Sequence, residues 1–379
     1  MLKDVQPHNS IKYVDGQVTE EAQSLFSFFR NISGEYMLFG HQNDTTERVV
    51  LSAIGDSDTY NSVGAYPAVF GVSMTSDTKG LTSLIQDLHK KGGMITLEDH
   101  MPNFTTGNSF YDVTPCVPHI LPGGKDHAAF LQRLDQTALA VKEAVDTDGT
   151  SIPIIYRPFH ENSGSWFWWG ASSATKEQFI QLWHFTVHYL RDICGVHQFL
   201  YAYSPNGHFA STEEYLDRYP GDDYVDILGF DVYDDKPTYD SDWMKKTVKD
   251  AEIVVSLAAA KSKVAAITEV GMRWNAEDGL KLEGNTVPDW FTLLHDHLIA
   301  SEKAKYVAYM MTWRNDNPGI GNPPAHFWVP YRNHPEYGDH EMLSDFIRFY
   351  ERENVIFADR LIRLKDKAMY KSRINITKS

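Results

Sequence analysis

Short apolar runs and longer amphipathic stretches alternate along most of this chain. Eight runs rich in Val, Ile, Phe and Tyr, bounded by Gly, Asn, Asp or Pro, read as β-strands over residues 36–40, 68–73, 94–98, 152–157, 198–203, 227–232, 263–269 and 306–313. Helical patterns lie between them, over 82–91, 128–145, 175–194, 242–260 and 290–301. Thr175 followed by Gln178 has the form of a capping box. Alternating strand and helix implies a parallel sheet. Eight such units point to a (β/α)8 TIM barrel, although an open doubly wound sheet gives the same alternation.

The placement of polar residues separates the two. In a barrel, functional residues gather at the C-terminal ends of the strands. His41-Gln42-Asn43, Glu98-Asp99-His100, His160-Glu161-Asn162, Ser204-Pro205-Asn206, Asp231-Val232-Tyr233, Glu269 and Trp313-Arg314 each close a predicted strand. Seven polar ends out of eight favour the α/β barrel. It is expected to occupy residues 1–379 as a single domain, with short extensions at both termini. Two loops, 101–125 and 314–339, are longer than a barrel needs and carry Pro, Gly, Asn and aromatic residues. They are expected to wall a cleft on the same face.

Composition narrows the function classes. The 379 residues are 42% hydrophobic and 23% charged, which fits a large packed core. A net charge of −16 argues against nucleic acid and anionic membrane, both of which reward clustered Lys and Arg. No apolar run is long enough for a membrane span. Two cysteines, Cys116 and Cys194, cannot make a disulfide framework or a Cys-based zinc site, and whether they pair is left open. Residues 1–6 lack the apolar stretch of a signal peptide. The 20 Tyr, 20 Phe and 9 Trp could be core or binding platform, and counting does not choose.

Candidate chemistry does choose. The strand over 152–157 ends in Arg157, and Pro158-Phe159-His160-Glu161-Asn162 then leads into Trp166-Phe167-Trp168-Trp169-Gly170. Sugar rings pack their C–H faces on aromatic rings while their hydroxyls need planar polar partners, so Trp beside Glu, His, Arg and Asn suits a carbohydrate site. For Trp168 and Trp169, core packing is an equal alternative. A second carboxylate, Glu269, emerges from the apolar run Ala265-Ala266-Ile267-Thr268. The fourth and seventh strands lie nearly opposite across an eight-stranded ring, so their terminal carboxylates can flank one bond. A spacing of about 5–5.5 Å would support retention at a glycosidic centre, and about 6.5–9.5 Å inversion. His160-Glu161 lacks the second His, four residues on, of a zinc-protease helix, and no Gly-x-Ser-x-Gly elbow, phosphate loop or dinucleotide fingerprint occurs.

His160-Glu161, the downstream Trp166 and Trp-Phe-Trp-Trp-Gly run, and Ile-Thr-Glu269-Val-Gly together resemble glycoside hydrolase family 26, mainly endo-β-1,4-mannanases. The likeness runs from about Gly34 to the last helix. It implies Glu161 as acid/base and Glu269 as nucleophile, acting with retention on mannan, glucomannan or galactomannan without metal or cofactor. Most of the wider clan has Asn before the acid/base, whereas His160 stands there, as in family 26. The likeness further implies that Tyr233 hydrogen-bonds the nucleophile and that Asp231 supports His160 or a substrate hydroxyl. Trp313 would lie under the sugar at the cleavage point and Trp166 on the leaving-group side, with His100 and Arg314 as polar contacts to hydroxyls. Phe104 and Phe110 match less closely. With Tyr233 and Arg157 stabilising an anionic Glu269, Glu161 would be the protonated partner. The family also implies two alternatives, a β-1,3-xylanase and a β-glucanase. A non-catalytic glycan-binding barrel would lose one glutamate, and both are present. A bacterial, secreted or periplasmic monomer is expected, its signal already removed.

Overall fold

The computed structural model describes residues 11–53, 55–274, 279–316 and 326–364. The expected terminal extensions lie largely outside this range. Its strands, in chain order, are β1 (Met37–Gln42), β2 (Val69–Ser73), β3 (Met94–Asp99), β4 (Ile154–Pro158), β5 (Phe199–Tyr203), β6 (Ile227–Leu228), β7 (Asp231–Asp234), β8 (Val264–Ala265), β9 (Glu269–Met272), β10 (Tyr309–Thr312) and β11 (Val355–Ile356). Strands β1 to β6 pair in parallel in sequence order, β6 pairs with β8, and β10 pairs with β1. Hydrogen bonds from Ala308 N–H to the Ala265 carbonyl (2.8 Å) and from Ile267 N–H to the Tyr309 carbonyl (2.9 Å) close the ring. The result is the (β/α)8 TIM barrel, and all eight predicted runs contribute to it.

Two of those runs are not continuous. Residues 227–232 divide into β6 and β7, and 263–269 into β8 and β9, with β7 and β9 pairing as a short extension of the barrel. The predicted helices are present within a few residues, and the Thr175–Gln178 capping box is formed in both directions. Alternation read the strands but missed the helix Glu20–Ile32. Its buried face of Ala22, Leu25, Phe26 and Phe29 joins Leu38, Val69, Met94, Ile155, Leu200 and Tyr309 in one core cluster. Thr19 N–H donates to the carbonyl of His197, just before β5, so this helix covers the N-terminal mouth of the barrel.

The second, larger cluster lies between strands and outer helices and takes the alternate strand positions, such as Phe39, Ile95, Leu97, Ile154 and Tyr156. Trp168, Trp169, Trp183 and Trp290 are all fully buried, so a large share of the aromatic content is core. Cys116 and Cys194 are both free thiols. No helix among the described residues is long and apolar enough to cross a membrane.

Candidate active site

Period-two alternation explains which polar side chains enter the barrel. On β4, Ile155 belongs to the interior cluster while Ile154 and Tyr156 belong to the outer one. Arg157 therefore points inward, one layer above Ile155. The same parity turns Glu98 of β3 and Asp231 and Tyr233 of β7 inward, with Leu97 and Val232 outward. The top of the barrel is thus lined by charged residues, at positions where the layers below carry Leu, Met, Val and Ile.

Glu269 reaches this layer by a register shift. Ile227 pairs with Val264, but Asp231 pairs with Glu269, so four steps on one strand oppose five on the other. One extra residue in a strand is a β-bulge, a device that re-aims side chains. Ile267 and Val270 both face outward, and the two residues between them, Thr268 and Glu269, both face inward. Thr268 Oγ1 donates to Asp231 Oδ1 at 2.6 Å. Arg157 Nη1 donates to Asp231 Oδ2 at 2.9 Å and Arg157 Nη2 to Glu269 Oε1 at 2.5 Å. The Tyr233 hydroxyl donates to Glu269 Oε2, also at 2.5 Å.

Glu161 is presented differently, from the turn after β4. Phe159 and Glu161 both have φ of 52°, a left-handed conformation that non-glycine residues adopt at a cost. Glu161 N–H donates to the Ser204 carbonyl at 2.7 Å, and the Trp169 indole donates to the His160 carbonyl at 2.8 Å, which hold this turn in place. The Trp166 indole donates to Glu161 Oε2 at 2.7 Å. Glu161, Asp231 and Glu269 each place a carboxylate oxygen within 4.8 Å of the others.

Such crowding perturbs the acids. Burial, then the Glu269 charge, pushes Glu161 up to about 7, against the pull of Trp166 and Arg157. Burial likewise raises Asp231, with Arg157 opposing it. Tyr233 is raised by burial and by the Glu269 charge, so its phenol stays protonated and able to donate. Burial lowers His160 far below the usual histidine range, helped by the charges of Arg157 and His100, which makes it a neutral imidazole. For His100, burial opposes the charge but the Glu98 carboxylate, 2.7 Å from Nδ1, outweighs it and raises the value.

The cleft above this layer encloses about 850 Å³. His100, His160, Glu161, Trp166, Tyr233, Glu269, Trp313 and Arg314 all line it. His100 packs edge-on against both His160 and Trp313, with centroids 4.6 and 5.7 Å apart. Arg314 Nη1 is held by Glu47 Oε2 at 2.7 Å. Asp231 differs from expectation. It is fully buried and gives its oxygens to Arg157 and Thr268, so its reach is to Arg157 rather than to His160. Trp168 and Trp169 are core, whereas Trp166 is 36% exposed.

The loop after β3 does wall the cleft through Phe110 and Tyr111, pinned by Asn103 Nδ2 bonds to the carbonyls of Asp112 and Thr114 (both 2.8 Å). Phe104 instead packs behind it, against Phe130 and Trp168. Of the loop after β10, residues 317–325 lie outside the described residues. The wall also includes residues the sequence did not single out, among them Glu47, Asp235, Arg273 and Trp328. Asp235 and Arg273 continue the inward parity of β7 and β9, a signal available once the bulge is known. Glu47 and Trp328 sit on loops and carried none.

Among the described residues, two groups bring donor atoms within 4.8 Å as a metal site would: Glu98, His100 and His160, and Glu161, Asp231 and Glu269. In the second, Asp231 and Glu269 are taken up by Arg157, Thr268 and Tyr233 while Glu161 accepts from the Trp166 indole, and in the first Glu98 is paired with His100. Protein donors thus already occupy these acids, with Arg157 the cation between Asp231 and Glu269.

Comparison with known proteins places this geometry. The model of Glycosyl hydrolase family 26 matches residues 14–298. A mannan endo-1,4-beta-mannosidase of Bifidobacterium adolescentis is 38% identical over 337 residues, covering 84% of this chain and 33% of the relative. The chain therefore spans about a third of that relative's length. Among solved structures, the catalytic domain of the Bacillus sp. JAMB-750 GH26 endo-beta-1,4-mannanase superposes with a TM-score of 0.86 at 36% identity, covering 97% of this chain and 96% of that one. The GH26 beta-mannanase BoMan26A of Bacteroides ovatus gives 0.78 at 28% identity, covering 95% and 100%.

Proposed function

The chain belongs to glycosyl hydrolase family 26, and we propose that it is a retaining endo-β-1,4-mannanase. One observation carries the chemistry: two glutamates that bring one carboxylate oxygen each within 4.8 Å, one clamped by Arg157 and Tyr233 and the other raised to about 7. So close an approach of the two carboxylates supports direct attack over an intervening water. The mannan assignment is carried by the named relatives. It implies a substrate met outside the cytoplasm, hence a secreted or periplasmic enzyme.

In the first step Glu161 gives its proton to the glycosidic oxygen while Glu269 Oε attacks C1. The C1–O bond breaks, the shortened chain leaves as an alcohol, and a glycosyl ester with Glu269 remains. Glu161, now anionic, takes a proton from water as that water attacks C1, and Glu269 is released. Neutral His160, His100 and Arg314 bind hydroxyls, while Trp313 and Trp166 offer their faces to the sugar rings. Asp231 acts through Arg157, which it orients.

Side-by-side hydrolysis of mannan, β-1,3-1,4-glucan and β-1,3-xylan tests the reading. Internal cutting of mannan, with the β-anomer appearing first by ¹H NMR, is expected. Preference for glucan or xylan would overturn the substrate, and an α-anomer first would overturn retention. Tyr233→Phe should lower kcat on mannan about 10- to 100-fold with little change in KM. A hydrogen bond to a charged group is worth about 1.5–3 kcal/mol, and this one strengthens the ionised nucleophile rather than substrate binding. Steady-state kinetics would read this split.

A further inference from the structure

We propose that Arg273 is a positioning residue for this reaction: it seats the Tyr233 ring against Glu269 and sets a fixed positive charge beside the paired carboxylates. The assignment rests on the roles given above to Glu161 and Glu269.

The paired rungs of β7 and β9 support it. Asp231 faces Glu269 and Tyr233 faces Gly271, and inward parity continues to Asp235 and Arg273. Gly271 has no side chain, and a Cβ there would come within 2.3 Å of the Trp328 ring, so the indole covers this rung. Trp328 then meets Tyr233 with centroids 4.8 Å apart. On the next rung the Arg273 guanidinium carbon lies 5.0 Å from the centre of the Tyr233 ring. The phenol is therefore flanked by an indole and a cation, and its hydroxyl is left one course, toward Glu269 Oε2.

Asp235 fixes the cation, accepting from Arg273 Nε at 2.5 Å, and Arg273 N–H continues the ladder to the Asp234 carbonyl at 2.7 Å. Both side chains line the cleft and are partly exposed, 33% for Arg273 and 55% for Asp235. An exposed ion pair of this kind adds little stability. A planar cation on the ring that serves the nucleophile is better explained by the reaction. A cation over an aromatic face also polarises the phenol and strengthens it as a donor. The charged and titratable groups facing Glu161 are Glu269, Asp231, Tyr233, Arg157 and Arg273. Both cations pull Glu161 down, Arg157 the more; Arg157 is also hydrogen-bonded to Asp231 and Glu269, whereas Arg273 acts on Glu161 without being tied to either carboxylate.

Arg273→Met keeps the length and removes the charge. It should lower kcat on mannan about 10-fold, with KM changed by less than about 2-fold. In a Tyr233→Phe background the same change should cost less than in wild type, because the hydroxyl that the ring presents is gone and only the charge beside Glu161 is left to lose. Arg273→Lys should restore the charge but not the planar stack. ¹³C NMR titration of carboxyl-labelled protein, with Glu161→Gln to assign the resonance, should show a higher Glu161 midpoint in Arg273→Met and a near-normal one in Arg273→Lys. This titration needs no substrate, so it stands even if mannan proves to be the wrong polymer. An unmoved midpoint, or a change confined to KM, would overturn the proposal, the latter making Arg273 a simple sugar contact.

Discussion

Glu269→Ala is expected to lower kcat/KM on mannan by about 10⁴-fold or more, the scale of removing a covalent nucleophile. Glu269 is the acid that Arg157 and Tyr233 both grip, each at 2.5 Å, and the bulge at Thr268 turns it into the barrel. Alanine leaves a small gap where the carboxylate stood, beside a cation and a phenol donor. Azide added at high concentration should enter that gap, attack C1 from the same face, and give an α-mannosyl azide detectable by NMR. The inverted product matters more than the rate, because a merely misfolded variant would not form it. Arg157 keeps Asp231 as partner in this variant, so its melting curve should remain cooperative. Near-normal mannan hydrolysis by Glu269→Ala would sink the role assignment.

The barrel could be read from the sequence because its strands are short, apolar and closed by polar residues, and these are the properties that a parallel sheet imposes. The place of Glu161 in the cleft was legible too, since His160-Glu161 and Trp166 lie within seven residues of one another. What alternation could not reveal was the slip between Ile267 and Val270. A bulge adds one residue without changing composition, so Thr268 and Glu269 look like consecutive residues on opposite faces. Asp231 shows the second limit. Its position at a strand end suggested a contact with sugar or His160, but the fully buried carboxylate is taken up by Arg157 and Thr268. A strand end tells where a side chain starts, while its partners come from strands up to 112 residues away. The helix Glu20–Ile32 was missed because it precedes the alternating pattern, and only its packing under the barrel gives it a role.

On the proposed mechanism, Glu161→Gln should separate the two steps that one residue serves. On mannan the leaving sugar is a poor leaving group and needs its proton, so a loss of about 10²- to 10⁴-fold is expected. An aryl β-mannoside with an acidic phenol needs no such help, so its first step should be nearly unimpaired. Its glycosyl-enzyme should accumulate instead, since no base remains to activate water. Azide, which requires no base, should then release a β-mannosyl azide, the opposite anomer to that from Glu269→Ala. The pH profile adds an independent reading. Glu161 is raised to about 7, chiefly by burial and then by Glu269, and the proposed first step needs it protonated. Wild-type kcat/KM should therefore fall as pH rises through about 7, and this limb should vanish in Glu161→Gln. Stability should follow the same group. A carboxyl whose folded pKa lies above its usual 4.5 stabilises most fully below 4.5, and that contribution fades as pH rises through about 7. Charging Glu161 in place should thus cost wild type on the order of 1–3 kcal/mol between pH 5 and pH 8, a loss that Glu161→Gln cannot suffer. Denaturant unfolding at about pH 5 and pH 8 would measure it. If both proteins lost stability equally over that range, the raised acid would have to be sought elsewhere, with Asp231 the next to replace.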